Sequence, residues 1–267
     1  MQTSPAGCLP GSLGSRRIAL ALLAAFFAIA APGSPRRLEP GPTAVTASPE
    51  LAPAPIDRFR NLRRAAPELD GKVLSLALTA SECAQRARVA PDARYLAVID
   101  YSLPSTRHRF WLLDLDAQRL LAREMVAHGV NTGENEAVRF SNVEGSRQTS
   151  LGLFRTGETY RGRNGYSLRL DGLEAGVNHL ARPRAIVMHG APYVSPTFAR
   201  EHGRLGRSWG CPALDQAIAR KVIDRIKEGH LLFAYYPDQE WLGASAFLHC
   251  GDSGAGGSPS LADRSGS

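Results

Sequence analysis

Metal-binding spacings, internal repeats and long apolar runs are all missing from this 267-residue chain. No Cys-x-x-Cys or His-x-x-x-His pair occurs. His128, His189, His202 and Cys211 therefore offer metal donors without the spacing of a metal site, and no cofactor is expected. No stretch reaches the ~20 apolar residues of a membrane span. Lysines and arginines are not interleaved with aromatics, so the net charge of +7 carries no nucleic-acid signature and suits any polyanion, anionic cell-wall polymer included. Cysteine is scarce too, with four in the chain, at 8, 83, 211 and 250.

What is present folds. An apolar fraction of 43% against 21% charged residues excludes disorder as the overall state. Residues 1–30 read as an export signal: Arg16 and Arg17 precede the apolar stretch Ile18 to Ala31, and Ala28-Ile29-Ala30 supplies small residues for cleavage. Cleavage there starts the mature chain near Ala31 and places it in the periplasm or cell envelope. An uncleaved segment would instead anchor the chain to a membrane. Residues 31–56, with prolines at 32, 35, 40, 42, 49, 53 and 55, read as a linker, and 251–267 as a flexible tail. One domain over 57–250 remains.

Within that domain Lys72 to Val89 has helical apolar spacing, stopped by Pro91. Strand-like runs follow at Tyr95–Tyr101, Arg109–Leu115, Leu120–Val126, Thr159–Arg163, Tyr166–Leu170, Ala185–Met188 and Leu231–Tyr236. Asn164-Gly165 marks a hairpin, since both residues tolerate positive φ. A second helix is expected from Ala213 to Glu228, ending at Gly229. The class is mainly β with a few helices.

The chemistry concentrates between 189 and 211. Pro212 favours a first helical position, which puts the Cys211 sulfur at a helix N-terminus, where amides and the macrodipole favour thiolate. Gly210 lets the backbone turn so that amides of 210 and 211 point at a developing oxyanion. His189, expected just after a strand and followed by Gly190, is the candidate base. In an oxidising compartment three mature cysteines leave one thiol free or paired between molecules. Cys83 and Cys250 are open to a disulfide or, for Cys83, to simple burial. Arg207 offers a planar fork to a carboxylate or a surface charge. Tyr193 and Trp209 suit a peptide-binding wall. His202 reads as a loop residue, His128 as a strand-end residue near the cleft, and Ser141, Asn142 and Tyr166 as makers of turn and sheet hydrogen bonds.

Ile186-Val-Met-His-Gly190 followed by Gly206-Arg-Ser-Trp-Gly-Cys-Pro-Ala-Leu214 resembles the L,D-transpeptidase catalytic-domain family of peptidoglycan enzymes, closest to the branch whose cysteine motif reads Gly-Cys-Pro-Ala. The segments 100–105, 126–129, 140–142, 149–154 and 160–173 are similar as well, so the resemblance covers about Leu74 to Tyr236. It implies a β-sandwich-like fold, Cys211 as nucleophile, His189 as general base and Ser208 in the family's Ser/Thr position. It also implies acyl transfer on peptidoglycan stem peptides without a cofactor. Substrate contacts then fall on Ser208, Trp209, Arg207, Gly190 and Tyr193. The chain departs from the general signature with Trp209 in place of a second histidine, Pro212 and Ala213 after the cysteine, and a slightly long spacer. L,D-carboxypeptidase activity and a non-catalytic cell-wall binding module are the alternatives.

Overall fold

The computed structural model describes residues 55–250; the export segment, nearly all of the Pro-rich segment and the tail lie outside the described residues. Two helices come first, α1 (Pro55–Ala65) and α2 (Gly71–Arg86). Asp70 caps α2 by accepting the amides of Lys72 and Val73 at 2.8 and 3.1 Å. The apolar stripe Val73, Leu74, Ala77, Leu78, Ala80 and Ala84 is buried. The helix stops three residues before Val89 because Arg88 takes a left-handed φ of 58° and the amides of Arg88 and Val89 turn back to Gln85 and Ala84, a Schellman closure.

Eight strands follow: β1 (Tyr95–Asp100), β2 (Phe110–Asp114), β3 (Arg119–Glu124), β4 (Gly152–Gly162), β5 (Gly165–Gly172), β6 (Val187–Ala191), β7 (Ala213–Asp215) and β8 (Leu231–Tyr235). They form one sheet in the order β3-β2-β1-β8-β4-β5-β6-β7, antiparallel except for the β1–β8 and β6–β7 pairs. The strands β1, β2 and β8 are buried along their whole length, which is why they read as unbroken apolar runs rather than alternating ones. The two ends of the sheet meet: Ala127, just past β3, donates its amide to Ala213 of β7 at 2.8 Å, and Gly129 bridges to Ser208. One sheet curled on itself thus supplies the layers of the mainly β fold.

Three expectations are corrected. The hairpin corners are Arg163 and Asn164, not Asn164 and Gly165; Gly162 pairs with Gly165, and Gly165 alone of the two takes positive φ, 74°. His189 lies inside β6, not beyond its end. The second long helix, α4, runs Gln216–Ile226 and not from Ala213. Residues 213–215 instead pair with β6, Ala213 gains a second partner in Ala127, and Asp215 caps the helix through the Ala217 amide at 2.8 Å. Short helices α3 (Pro196–His202) and α5 (Gln239–Ala244) complete the described chain. Cys83 and Cys250 form a disulfide with their Cα atoms 6.0 Å apart, leaving Cys211 as the free cysteine among the described residues.

Candidate active site

The parallel β6–β7 pair brings the two halves of the site together. His189 pairs with Ala213, and its amide donates to the Pro212 carbonyl at 3.4 Å. Cys211 precedes Ala213 by two residues, and its Sγ accepts the Val187 amide at 3.4 Å while its thiol donates to the Ala185 carbonyl at 3.7 Å. His189 lies two residues along β6 from Val187, whose backbone amide binds the sulfur. Its Nδ1 meets the Gly190 carbonyl at 3.1 Å. That carbonyl can only accept, so the contact assigns the proton to Nδ1 and leaves the Nε2 lone pair free to act as a base.

Because α4 begins at Gln216, the Cys211 sulfur is not at a helix N-terminus, and the dipole activation expected from Pro212 is absent. Burial dominates instead and pushes the thiol up, opposed by the Val187 amide and the Arg184 charge. Burial likewise holds the His189 imidazole below its ordinary value, with the Gly190 carbonyl acting against it. Both shifts favour the neutral forms, thiol over thiolate and imidazole over imidazolium.

The cysteine loop is knitted by polar side chains. Ser208 Oγ donates to the Cys211 carbonyl at 2.6 Å and accepts the Gly210 amide at 3.1 Å, so the hydroxyl closes the turn and the Gly210 N–H faces inward. Thr149 Oγ1 accepts the Gly129 amide at 2.9 Å and donates to the Gly210 carbonyl at 3.1 Å. Gly210 has φ 119°, and a Cβ there would fall 2.8 Å from the Gln148 oxygen. Arg207 is tied to the Gly133 carbonyl at 3.1 Å and to Glu134 at 2.5 Å, and so holds the 130–134 segment. At Gly190 the missing Cβ leaves room for α4, with Ala219 Cβ only 3.0 Å from where it would be. Tyr193 packs against Gly206, and its phenol is pushed up to about 12 by burial and then by the nearby Cys211. Trp209 stands 63% exposed beside the loop. His202 ends α3, stacked on Phe198.

Sequence reasoning missed Arg184. Its half-buried guanidinium donates to the Ser141 and Gln148 carbonyls and to Ser150 and Ser146 hydroxyls at 2.5–3.1 Å, fixing the 141–150 segment beside Cys211. Nothing local marks it, since every partner lies 34 or more residues away. His128 was noted without its partner, the wholly buried Arg109, whose Nη2 lies 2.8 Å from His128 Nδ1. The His128 carbonyl accepts the Ser208 amide at 2.9 Å, so this pair backs the cysteine loop. Among the described residues no group of three or more His, Cys, Asp or Glu is placed to hold a metal ion, and no helix is long and apolar enough to cross a membrane.

No curated protein matches the chain. Among solved structures it is similar to an L,D-transpeptidase from Mycobacterium smegmatis at 15% identity, covering 54% of this chain and 59% of that one with a TM-score of 0.33. It is similar at 14% identity to L,D-transpeptidase 1 of Mycobacterium tuberculosis, covering 54% and 62% with a TM-score of 0.31. An L,D-transpeptidase from Xylanimonas cellulosilytica is similar at 15% identity, covering 54% and 61% with a TM-score of 0.33. The chain thus spans about six-tenths of the length of these structures. The family model of the L,D-transpeptidase catalytic domain matches residues 65–235, the span that holds the whole sheet and both His189 and Cys211, and the chain belongs to that family.

Proposed function

We propose that the protein is a cysteine acyltransferase acting on peptidoglycan stem peptides outside the cytoplasm, with Cys211 as nucleophile and His189 as base. The observation that supports this reading is that both groups border the β6–β7 pair: His189 pairs with Ala213, two residues after Cys211, and the Val187 amide, two residues before His189, binds the Cys211 sulfur. His189 Nε2 takes the thiol proton as Sγ attacks the carbonyl of the third residue of a tetrapeptide stem. The tetrahedral intermediate collapses to a thioester, and the terminal D-residue leaves as an amine carrying the proton held by His189. An incoming amine then gives a proton back to His189, attacks the thioester and releases the thiol. The Gly210 amide is engaged by Ser208, so the Cys211 amide is the better candidate of the two for the developing oxyanion.

A thiol raised by burial holds less thiolate than a free cysteine, so this reading makes proton transfer to His189 part of each turnover. His189→Ala should therefore cost the full general-base contribution, ~10²–10⁴-fold in rate. Iodoacetamide should label Cys211 slowly at neutral pH and faster as pH rises. On the acid side activity falls once His189 is protonated, in a window below its ordinary value because burial depresses it.

The test is intact mass after exposure to a carbapenem, whose strained lactam is an acyl donor, together with mass analysis of products from a disaccharide tetrapeptide. Wild type should gain one drug molecule and form dimers; Cys211→Ala should do neither. An adduct and turnover that survive in Cys211→Ala reject the assignment. Tripeptide as the sole product with every amine acceptor makes the enzyme an L,D-carboxypeptidase instead.

A further inference from the structure

We propose that Arg147, Trp209 and Arg163 form a recognition platform for a carboxylate on the peptide that Cys211 acts on, an inference that rests on the acyl-transfer reading. Three separate segments converge on one indole next to the nucleophile. Trp209 comes from the cysteine loop, Arg147 from the 141–150 segment with its guanidinium 4.6 Å from the ring centroid, and Arg163 from the corner of the β4–β5 hairpin at 5.8 Å. The other two tryptophans, Trp111 and Trp241, are buried, whereas Trp209 is left in solvent. A large aromatic left open beside two guanidinium groups offers a ligand apolar surface and positive charge at one place.

Arg147 is not a loosely hanging surface residue. Its backbone is held at φ 53°, its carbonyl accepts the Asn131 amide at 3.3 Å, and the same oxygen lies 2.4 Å from where a Cβ on Gly129 would be. Two like charges are thus drawn to one ring without a counterion: among the described residues neither Arg147 nor Arg163 is in an ion pair. Two other rings also draw two arginines, Tyr95 and Tyr166, but in each case one of the two is neutralised, Arg94 by Asp114 and Arg220 by Asp224. An anion is what this cluster lacks. A carboxylate fits the planar guanidinium fork, and the apolar part of a peptide can lie along the indole edge. Because guanidinium groups already engage the ring, an uncharged sugar has less of its face to stack on.

The test is equilibrium binding to the full chain carrying Cys211→Ala, which prevents turnover, read by Trp209 fluorescence and calorimetry. The two ligands are a stem tetrapeptide with free carboxylates and the same peptide with carboxamides in their place. The acidic peptide should bind about tenfold more tightly at low salt, and that advantage should shrink at high salt. Arg147→Gln with Arg163→Gln should bring the ratio below about twofold. Arg161→Gln, on the same hairpin but over Tyr166, should leave the ratio as it was. Equal binding of the two peptides, a ratio that survives the double substitution, or a peptide-free oligosaccharide that alone shifts the Trp209 emission overturns the platform. Since binding is read without chemistry, equal binding of the two peptides to the Cys211→Ala protein with both arginines intact, beside an intact carbapenem adduct in wild type, rejects the platform only. An intact ratio without any adduct rejects acyl transfer only.

Discussion

His189 and Cys211 both border the β6–β7 pair, yet they are held by different kinds of structure. His189 is in β6, bonded to β5 through Ser167 on one side and to β7 through Ala213 on the other, with buried Val187 and Met188 before it. Cys211 hangs from a loop whose shape depends on Ser208 Oγ, Thr149 Oγ1 and two glycines, Gly129 and Gly210, that approach too closely for a side chain. The strand is over-determined by a repeated ladder plus apolar burial, so it tolerates a lost contact. The loop is held by single bonds, several of them from side chains, rather than by a repeated ladder. Damage to the strand should thus appear as lost stability with intact chemistry, and damage to the loop as lost chemistry with modest loss of stability.

The largest effect expected from this contrast is at Gly210. Alanine there must adopt φ 119° and place a Cβ 2.8 Å from the Gln148 oxygen and 2.9 Å from Ile186. Backbone strain of ~1–3 kcal/mol adds to a similar overpacking cost, which the loop relieves by moving the sulfur. Carbapenem adduct formation should slow by roughly 10²-fold or more, since small misplacement of a reacting group has that effect. Met188→Ala is the counterpart in the strand. Met188 is fully buried beside His189, so its truncation should cost ~2–5 kcal/mol of stability while the adduct rate of the folded protein stays within about threefold. Thermal melts and single-turnover mass spectrometry on both variants decide the matter, and a stable but inactive Met188→Ala protein breaks the comparison.

The same contrast explains which parts were legible in the sequence. The strands β1, β2 and β8 announce themselves because full burial writes an apolar run between turn residues. The stripe of α4 is equally plain, but its start is not. Pro212 mimics a first helical position, while the partners that draw 213–215 into β7 are Ala127 and β6, distant in the chain. Ser195, Pro196 and Gly203 do carry the cap, first-turn and left-handed stop of α3, a short signal that the residues around the motif overshadowed. In the site, the residue types at 189 and 211 point to nucleophile and base. Their support does not show locally: Thr149 reaches Gly210 across 61 residues, and Arg184 reaches Gln148 across 36. Two-body chemistry is written in short motifs, and the scaffolding around it is written in tertiary contacts.

A second prediction separates the two supports by pH. His128 lies behind the cysteine loop, where burial and then the Arg109 charge hold its imidazole down to about 4. Unfolded, it titrates near 6.5. Between those values the unfolded chain binds a proton that the folded chain does not, so stability falls as pH drops from 6.5 to about 4, by roughly 3 kcal/mol in all. His189, also depressed, contributes with the same sign. Denaturant melts at pH 7 and pH 4.5 should show the loss, and His128→Gln should remove a large part of the slope. Hydrogen exchange sharpens the comparison: the Ser208 amide, bonded to the His128 carbonyl, should lose protection on acidification before the amides of β8 do. A slope unchanged in His128→Gln would locate the acid sensitivity elsewhere.

The smallest effect concerns one hydroxyl. Ser208→Ala leaves the Gly210 amide and the Cys211 carbonyl without the oxygen that now bridges them at 3.1 and 2.6 Å. A hydrogen bond of this kind is worth ~0.5–1.5 kcal/mol, and a group left unpaired costs ~1–3 kcal/mol where water cannot reach it. Next to the cleft, water or a small shift of the loop can replace part of that loss, so stability should fall by about 1 kcal/mol. The price falls on geometry: the turn that aims Sγ loosens, and adduct formation should slow by about tenfold with the pH profile unchanged. Ser208→Thr keeps the oxygen and should recover to within about threefold of wild type, in keeping with a position where the family signature takes either residue. The readout is the single-turnover acylation rate beside the melting temperature. Equal rates for the alanine and threonine variants would mean that the hydroxyl does not aim the sulfur, and that the ladder around Ala213 positions Cys211 as redundantly as it positions His189.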